Sequence, residues 1–188
     1  MPTLFVMQNV EFYIVNDELW LKSENTSKQL TIREIDVVGR LFVEFGRTFP
    51  EAIEALKKTY AKSSKFKPYF LFKIVNRFCR CNFGNIDNIF DIDAGGHFNL
   101  EYVQCPLRGE CPLENIVCQP RFASSLSPSE LRVMRLLVDG VSRQAIADSL
   151  CLSIHTVNNH IQNSYLRTGV HSLSEFVRYA SRYNLFRS

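Results

Sequence analysis

The chain has 188 residues, 46% of them hydrophobic and 22% charged, which leaves room for two small domains or one large one and excludes collagen, a coiled coil and wholesale disorder. The most apolar stretch, PYFLFKIV from Pro68, is broken by Lys73, and the first residues lack a basic region followed by an apolar run and a small-residue cleavage site. Neither a membrane span nor a secretory signal is expected. Six cysteines without an export signal point to a reducing compartment, the cytoplasm, where clustered thiols more often mean metal or redox chemistry than disulfides.

The net charge of +3 is unevenly placed. Residues 1–121 hold 15 Lys and Arg against 15 Asp and Glu, whereas residues 122–188 hold 7 Arg, no Lys and 4 acids. Twelve of the fifteen Phe and all eight Lys also fall in the first part. This shift predicts two domains, residues 1–121 and 122–188, joined near QPRFASSLSP.

In the first domain, FYIV and ELWLK flank Asn16-Asp17, a β-hairpin pattern because Asn and Asp tolerate the positive φ of a tight turn. Thr31-Ile32-Arg33-Glu34 has the form of a capping box, ahead of a helix with Ile35, Val38, Leu41, Phe42 and Phe45 on one face. Thr48 and Pro50 open the next helix, carrying Ile53, Leu56 and Tyr60. The cluster Lys57, Lys58, Lys62, Lys65 and Lys67 could attract phosphate, but balancing acids and helical spacing favour a solvated face. Phe66 to Phe78 reads as a buried helix ending at the cysteines, and IFDID and HFNLEYV around Ala94-Gly95-Gly96 read as a second hairpin. Asp91 and Asp93 are taken as turn residues, because a calcium loop would need a fuller ligand set. The domain is thus expected to be α+β, of unknown input.

Its one chemical feature is thiol density. Cys79-Arg80-Cys81 is followed by Cys105, Cys111 and Cys118 within CPLRGECPLENIVC. Four thiolates close a structural zinc site and four also hold an iron–sulfur cluster, so any four of these five could bind zinc or, on weaker grounds, such a cluster. The spacing differs from a C-x-x-C knuckle, and packed thiols are the competing reading, Cys79 following an apolar helix. His97 is a further possible ligand, while Cys151 reads as core.

The second domain reads as four short helices. Ser127-Pro128-Ser129-Glu130 is a capping box with proline at the first helical position; Leu131, Met134, Leu137 and Val138 follow at helical spacing until Asp139-Gly140. Ser142 caps a second helix burying Ala145, Ile146 and Leu150, Cys151-Leu152 makes a turn, and Ser153 caps a third. Ser172-Leu173-Ser174-Glu175 opens a fourth, with Leu173, Phe176, Val177 and Ala180 on its apolar face. Two helices joined by a short turn form a helix-turn-helix. At about 100° per residue, the third helix places Val157, Ile161, Ser164 and Thr168 on one side, with Asn159, Gln162 and Leu166 opposite and Asn158 beside them. Asn or Gln in a major groove can pair with adenine N6 and N7.

From Leu126 to Ala180 the sequence resembles the LuxR-type (GerE-like) DNA-binding domain, with Ser127, Glu130, Gly140, Ser142, Ile146, Leu150, Ser153, Thr156, Val157, His160, Asn163 and Gly169 at that family's pattern positions. The resemblance implies an all-α four-helix domain whose third helix reads base edges through Asn158, Asn159 and Gln162. It places Thr156, His160 and Asn163 near the phosphates; Arg143 and Arg167 are further phosphate candidates from their charge. It also implies a homodimer on double-stranded DNA, formed through the fourth helix, and RNA polymerase as a possible partner. Many relatives carry lysine where this chain has Asn158 and Gln162, so fewer phosphates are neutralised and a shallower salt dependence is expected. Ser164 and Thr168 stand where the family is apolar.

The competing classes are weaker. Residues 1–121 show neither the βα alternation nor the acidic residues of a receiver domain; with a single tryptophan, Trp20, they lack a tryptophan-rich acyl-lactone pocket. No promoter-melting helices of a sigma factor precede the motif. An enzyme would need a catalytic set beside the thiols, and none accompanies them. The expectation is a non-enzymatic, sequence-specific transcriptional regulator. The alternatives are a helix-turn-helix used for protein contacts, or one delivering a cysteine-based redox or metal-dependent activity.

Overall fold

The computed structural model describes residues 9–23, 26–84, 86 and 89–186. The chain divides into two compact units, Met1–Pro120 and Arg121–Ser188.

In the first unit, strands β1 (Val10–Val15) and β2 (Glu18–Ser23) pair antiparallel from Val15 opposite Glu18 to Val10 opposite Ser23. Asn16 and Asp17 both take positive φ, 52° and 63°, the geometry of a two-residue turn whose twist matches the strands. A third strand, β3 (Thr26–Gln29), pairs with β2. It escapes a reading of hydrophobic pattern because Thr-Ser-Lys-Gln contains no apolar residue and forms an exposed sheet edge. Phe12, Leu19 and Leu21 supply the buried face.

Three helices follow. α1 (Ile35–Thr48) begins later than a cap at Thr31 would place it. The Glu34 carboxylate instead accepts bonds from the Thr31 N–H and hydroxyl at 2.9 and 2.5 Å, closing a turn ahead of the helix. Ile35, expected inside, opens the helix and is exposed, while Val38, Leu41 and Phe45 are buried. α2 (Pro50–Thr59) buries Ile53 and Leu56, and a 3-10 turn at Ala61–Ser63 leads to α3 (Lys67–Asn82). This last helix does not stop at the cysteines, as its apolar run suggested, but carries both Cys79 and Cys81 within it.

Aromatic rings fill the interior. Phe45 stands 4.4 Å from Phe78, 5.6 Å from Phe98 and 6.4 Å from Phe83, Phe49 lies 5.1 Å from Phe78, and Phe12 stacks on Phe83 at 5.4 Å. The expected second hairpin forms only as a short one, the antiparallel bridge Ile92–Phe98 flanked by backbone bonds from Asp93 N to His97 O at 3.0 Å and from Asn99 N to Asp91 O at 2.9 Å, and Ile92 also bridges Val10. Side chains add to these backbone bonds. The buried Asp91 carboxylate accepts the Phe12 N–H at 2.6 Å, so Asp91 is an anchor rather than a turn residue. Asp93 does make the turn, accepting the Gly95 and His97 N–H groups. Asn82, fully buried at the end of α3, ties down the chain before residue 120: its Nδ2 donates to Phe78 O and Val117 O, and its Oδ1 accepts from Gln119 N at 2.6 Å.

The second unit is four helices: α4 (Pro128–Val138), α5 (Arg143–Leu150), α6 (Ile154–Thr168) and α7 (Leu173–Arg182). Each starts at a serine, Ser127, Ser142, Ser153 or Ser172, whose hydroxyl accepts an otherwise orphaned backbone N–H of the first turn. At Ser127 the box is reciprocal, Glu130 returning a 2.7 Å bond to the Ser127 N–H. Val133, Met134, Ile146, Val157, Ile161 and Phe176 are the centre of the core. Ala145 and Cys151, both expected in that core, lie outside it. Ala145, in the first turn of α5, is exposed. Cys151 is also exposed because it ends α5 in the left-handed conformation, φ 53°, which turns its side chain away from the helix packing. No helix among the described residues is long and apolar enough to cross a membrane.

Candidate nucleic-acid interface

Cys151, Leu152 and Ser153 are the whole turn between α5 and α6, a connection short enough to define a helix-turn-helix. The sequence periodicity of α6 determines which of its faces is available. Val157, Ile161 and Ser164 are buried and Thr168 is half-buried. The two hydroxyls on this packed side bond back along the helix, Ser164 to His160 O and Thr168 to Ser164 O, each at 2.7 Å. Polar groups thus enter the interface with α6 without losing a hydrogen bond.

On the opposite side Asn159, Gln162 and Asn163 are exposed, as is Leu166 at 80%. Asn158 is half-buried, and its side-chain oxygen accepts the Arg143 guanidinium at 3.0 Å. That bond spans α5 and α6, leaving the Asn158 amide nitrogen as its outward function. Asn159 sits one turn beyond His155, 3.2 Å from its Nε2. The first pairing is not visible in the sequence, because Arg143 lies at the end of α5 away from the turn, whereas the second is, since i and i+4 residues on a helix are neighbours. Thr156 lies in the first turn, its hydroxyl against Ser153 at 2.8 Å, and His160 is half-buried.

Arg167 differs from the other phosphate candidates. It lies in the last turn of α6, where its Nε approaches the Glu130 carboxylate at 3.3 Å and its Nη1 donates to Ser125 O at 3.3 Å. Glu130 is only 3% exposed. A buried carboxylate needs its counter-charge, so Arg167 is committed to holding the start of α4 against the end of α6. On α7, Phe176 and Ala180 face the core while Leu173 and Val177, expected on the same apolar face, are 38% and 40% exposed.

The five clustered thiols of the first unit do not act as one set. Residues two apart on a helix point about 200° apart, so Cys79 and Cys81 face opposite ways. Cys79 is fully buried, and burial together with the Asp91 charge pushes its thiol well above the usual range. Cys81 and Cys118 act on each other's ionisation instead, Cys118 and burial pushing the Cys81 thiol up. Arg77, one turn before Cys81, donates to Cys111 Sγ at 3.8 Å. The Cys118 thiol is pulled down by Cys81, against the effect of burial, with Arg108 and Arg77 adding to the lowering. Among the described residues no group of three or more His, Cys, Asp or Glu is placed to hold a metal ion, and no disulfide joins the six cysteines. His97 pairs with Asp93 at 3.1 Å.

Residues 124–180 match the family model for bacterial regulatory proteins of the luxR family. Over 60 residues, 32% of this chain, the Fimbriae Z proteins of Escherichia coli K12 and Escherichia coli O157:H7 are each 45% identical to it. The Fimbriae Z protein of Salmonella typhimurium LT2 is 38% identical over the same length. The matched stretch is 29% of each of those proteins, so the chain spans less than a third of the length of the curated relatives it matches. No solved structure matches significantly. The capped four-helix unit, its three-residue turn and these likenesses agree: residues 124–180 are a LuxR-family helix-turn-helix domain.

Proposed function

We propose that the protein is a sequence-specific transcriptional regulator whose α6 enters the major groove of double-stranded DNA. The observation that carries this reading is the outward face of α6, where Asn159 and Gln162 are exposed on a helix capped at Ser153 and backed by buried Val157 and Ile161. An α-helix fits the major groove, and carboxamides there can make paired bonds to adenine. Asn159 and Gln162 are the principal base readers. Asn158 joins them through its amide nitrogen, with its oxygen held by Arg143. Thr156, His160, Asn163 and Arg143 contact phosphates and set the register of the helix without reading sequence.

The exposed Leu173 and Val177 on α7 support a homodimer through that helix, with half-sites arranged by the protein's symmetry. Such a regulator works in the cytoplasm, with DNA and RNA polymerase as partners and without enzymatic activity, and residues 1–120 receive its input.

The test is binding-site selection with the full chain, followed by affinity measurement over a salt series. Replacing Asn159 or Gln162 by Ala should cost on the order of 1–3 kcal/mol at the selected site and relax preference at one position. The salt slope should be shallow, because each neutralised phosphate contributes only about 0.9 to it and Arg143 is the one cation assigned to a phosphate contact. Unchanged sequence preference in both variants would overturn the base readers; failure to bind any duplex would overturn the function.

A further inference from the structure

Leu166 is the most exposed large hydrophobic side chain among the described residues, at 80%, and α6 carries it on the same stripe as Asn159 and Gln162. At about 100° per residue it lies about 20° from Asn159 and about 40° from Gln162 around the helix. The backbone beneath it is anchored on both sides. Tyr165 packs against the core with its ring 6.2 Å from Phe176, and its carbonyl accepts the Gly169 and Val170 N–H groups. Arg167 is tied to Glu130 and Ser125. Leu166 thus adds little to the packing of its own unit, yet it is presented on a fixed turn of the helix that faces DNA.

We propose that Leu166 is a specificity-determining residue that reads the C5-methyl group of a thymine, about two base pairs beyond the pair read by Gln162. A leucine side chain has no polar atom for a phosphate or for a base-edge donor, and the thymine methyl is the apolar group that base edges display in the major groove. The neighbouring carboxamides favour the same kind of pair. An Asn or Gln bonded to adenine N6 and N7 reads an A·T pair, and its thymine shows the methyl in the same groove. Spacing sets the position. Leu166 stands four residues beyond Gln162, about 6 Å along the helix, which matches about two base pairs at about 3.4 Å each. The inference rests on the proposed entry of α6 into the groove and adds an apolar contact at the far end of that helix. Such a contact releases no counterion, so it selects sequence without steepening the salt dependence.

The test uses the full chain on its selected duplex, with each thymine of a half-site replaced in turn by deoxyuridine, which lacks only the methyl group. Gln162→Ala first marks the pair that Gln162 reads. One replacement, about two base pairs beyond that mark, should weaken binding about four-fold, the worth of one buried methyl. Leu166→Ala should weaken binding to the unmodified site by about four- to ten-fold, respond no further to that deoxyuridine, and keep both its salt slope and its preference at the Gln162 pair. Leu166→Met, equally apolar and of similar length, should retain the dependence on the methyl. Because Leu166 is exposed, neither substitution disturbs the fold. Three results would overturn the proposal while leaving the Asn159 and Gln162 readers intact: no thymine sensitivity at that offset, the same deoxyuridine loss in wild type and Leu166→Ala, or a dimer lost in Leu166→Ala by sedimentation, which would assign the side chain to a protein contact. Absence of binding to any duplex, or unchanged preference in the Asn159 and Gln162 variants, would instead remove the groove reading and this inference with it.

Discussion

In residues 121–188 each of the four helices begins at a serine whose hydroxyl accepts a backbone N–H, whereas none of the three helices described in residues 1–120 has a side-chain cap. The first unit relies on distant partners instead. Asp91 reaches Phe12, Asn82 reaches Val117 and Gln119, and Arg80 reaches Asp17. Phenylalanines from β1, α1, α3 and the later loops meet in one cluster. A unit built from local signals should lose a little stability at each cap, whereas one built from distant contacts should fail at single interior points.

The largest effect is expected at Phe78, which is fully buried and touches Phe45, Phe49 and Phe83. Phe78→Ala should destabilise the first unit by about 3–5 kcal/mol. The single tryptophan, Trp20, lies in β2, so its fluorescence in urea follows this unit. A shift below ~1 kcal/mol would show that the ring cluster is not its centre. Asn82 comes next. Asn82→Ala removes the partners of the buried Val117 O and the half-buried Gln119 N, and a buried acceptor left unpaired costs about 1–3 kcal/mol. Faster amide exchange at residues 117–119 than at β1 would locate the loss. Exchange accelerated uniformly over the unit would assign Asn82 to the core instead.

The same contrast explains what could be read in advance. The four caps, the turn between α5 and α6 and the outward polar face of α6 are encoded within stretches of a few residues, and Ser127, Ser142, Ser153 and Ser172 are visible one by one. The Asn16-Asp17 hairpin is legible for the same reason. The second hairpin is legible only in part: IFDID and HFNLEYV alternate like strands and do meet at Ile92 and Phe98, while Asp91 turns its carboxylate to Phe12, a partner 79 positions away. Cys79 could have been separated from Cys81 once both were placed in α3, but the contact between Arg77 and Cys111 depends on a loop with no regular structure. Arg167 looked like a phosphate ligand by charge, and only the packing of α6 against α4 shows that Glu130 holds it.

Removing a single cap gives a smaller effect. Ser153→Ala should cost about 1 kcal/mol, felt as faster amide exchange in the first turn of α6 and weaker DNA binding with unchanged sequence preference. A changed preference would mean that Ser153 positions the base readers and not merely the helix start. A loss as large as that at Phe78 would show that this unit, too, fails at single points.

The smallest effect separates a true cap from the turn at Thr31. The Thr31 hydroxyl bond holds the Glu34 carboxyl below its ordinary value of 4.5, with backbone N–H bonds helping and burial opposing. A folded-state value below the unfolded one means that the carboxylate contributes stability above about pH 4.5, and that this is lost as pH falls through the folded value. Thr31→Val removes the hydroxyl donor and keeps the backbone bond, so the variant should be slightly less stable near neutrality and approach the wild type in acid. Thermal unfolding across that range decides it. If the two curves stay parallel down to low pH, the Thr31 hydroxyl does not act through the ionised form of Glu34, and the turn before α1 is held by its backbone bonds alone.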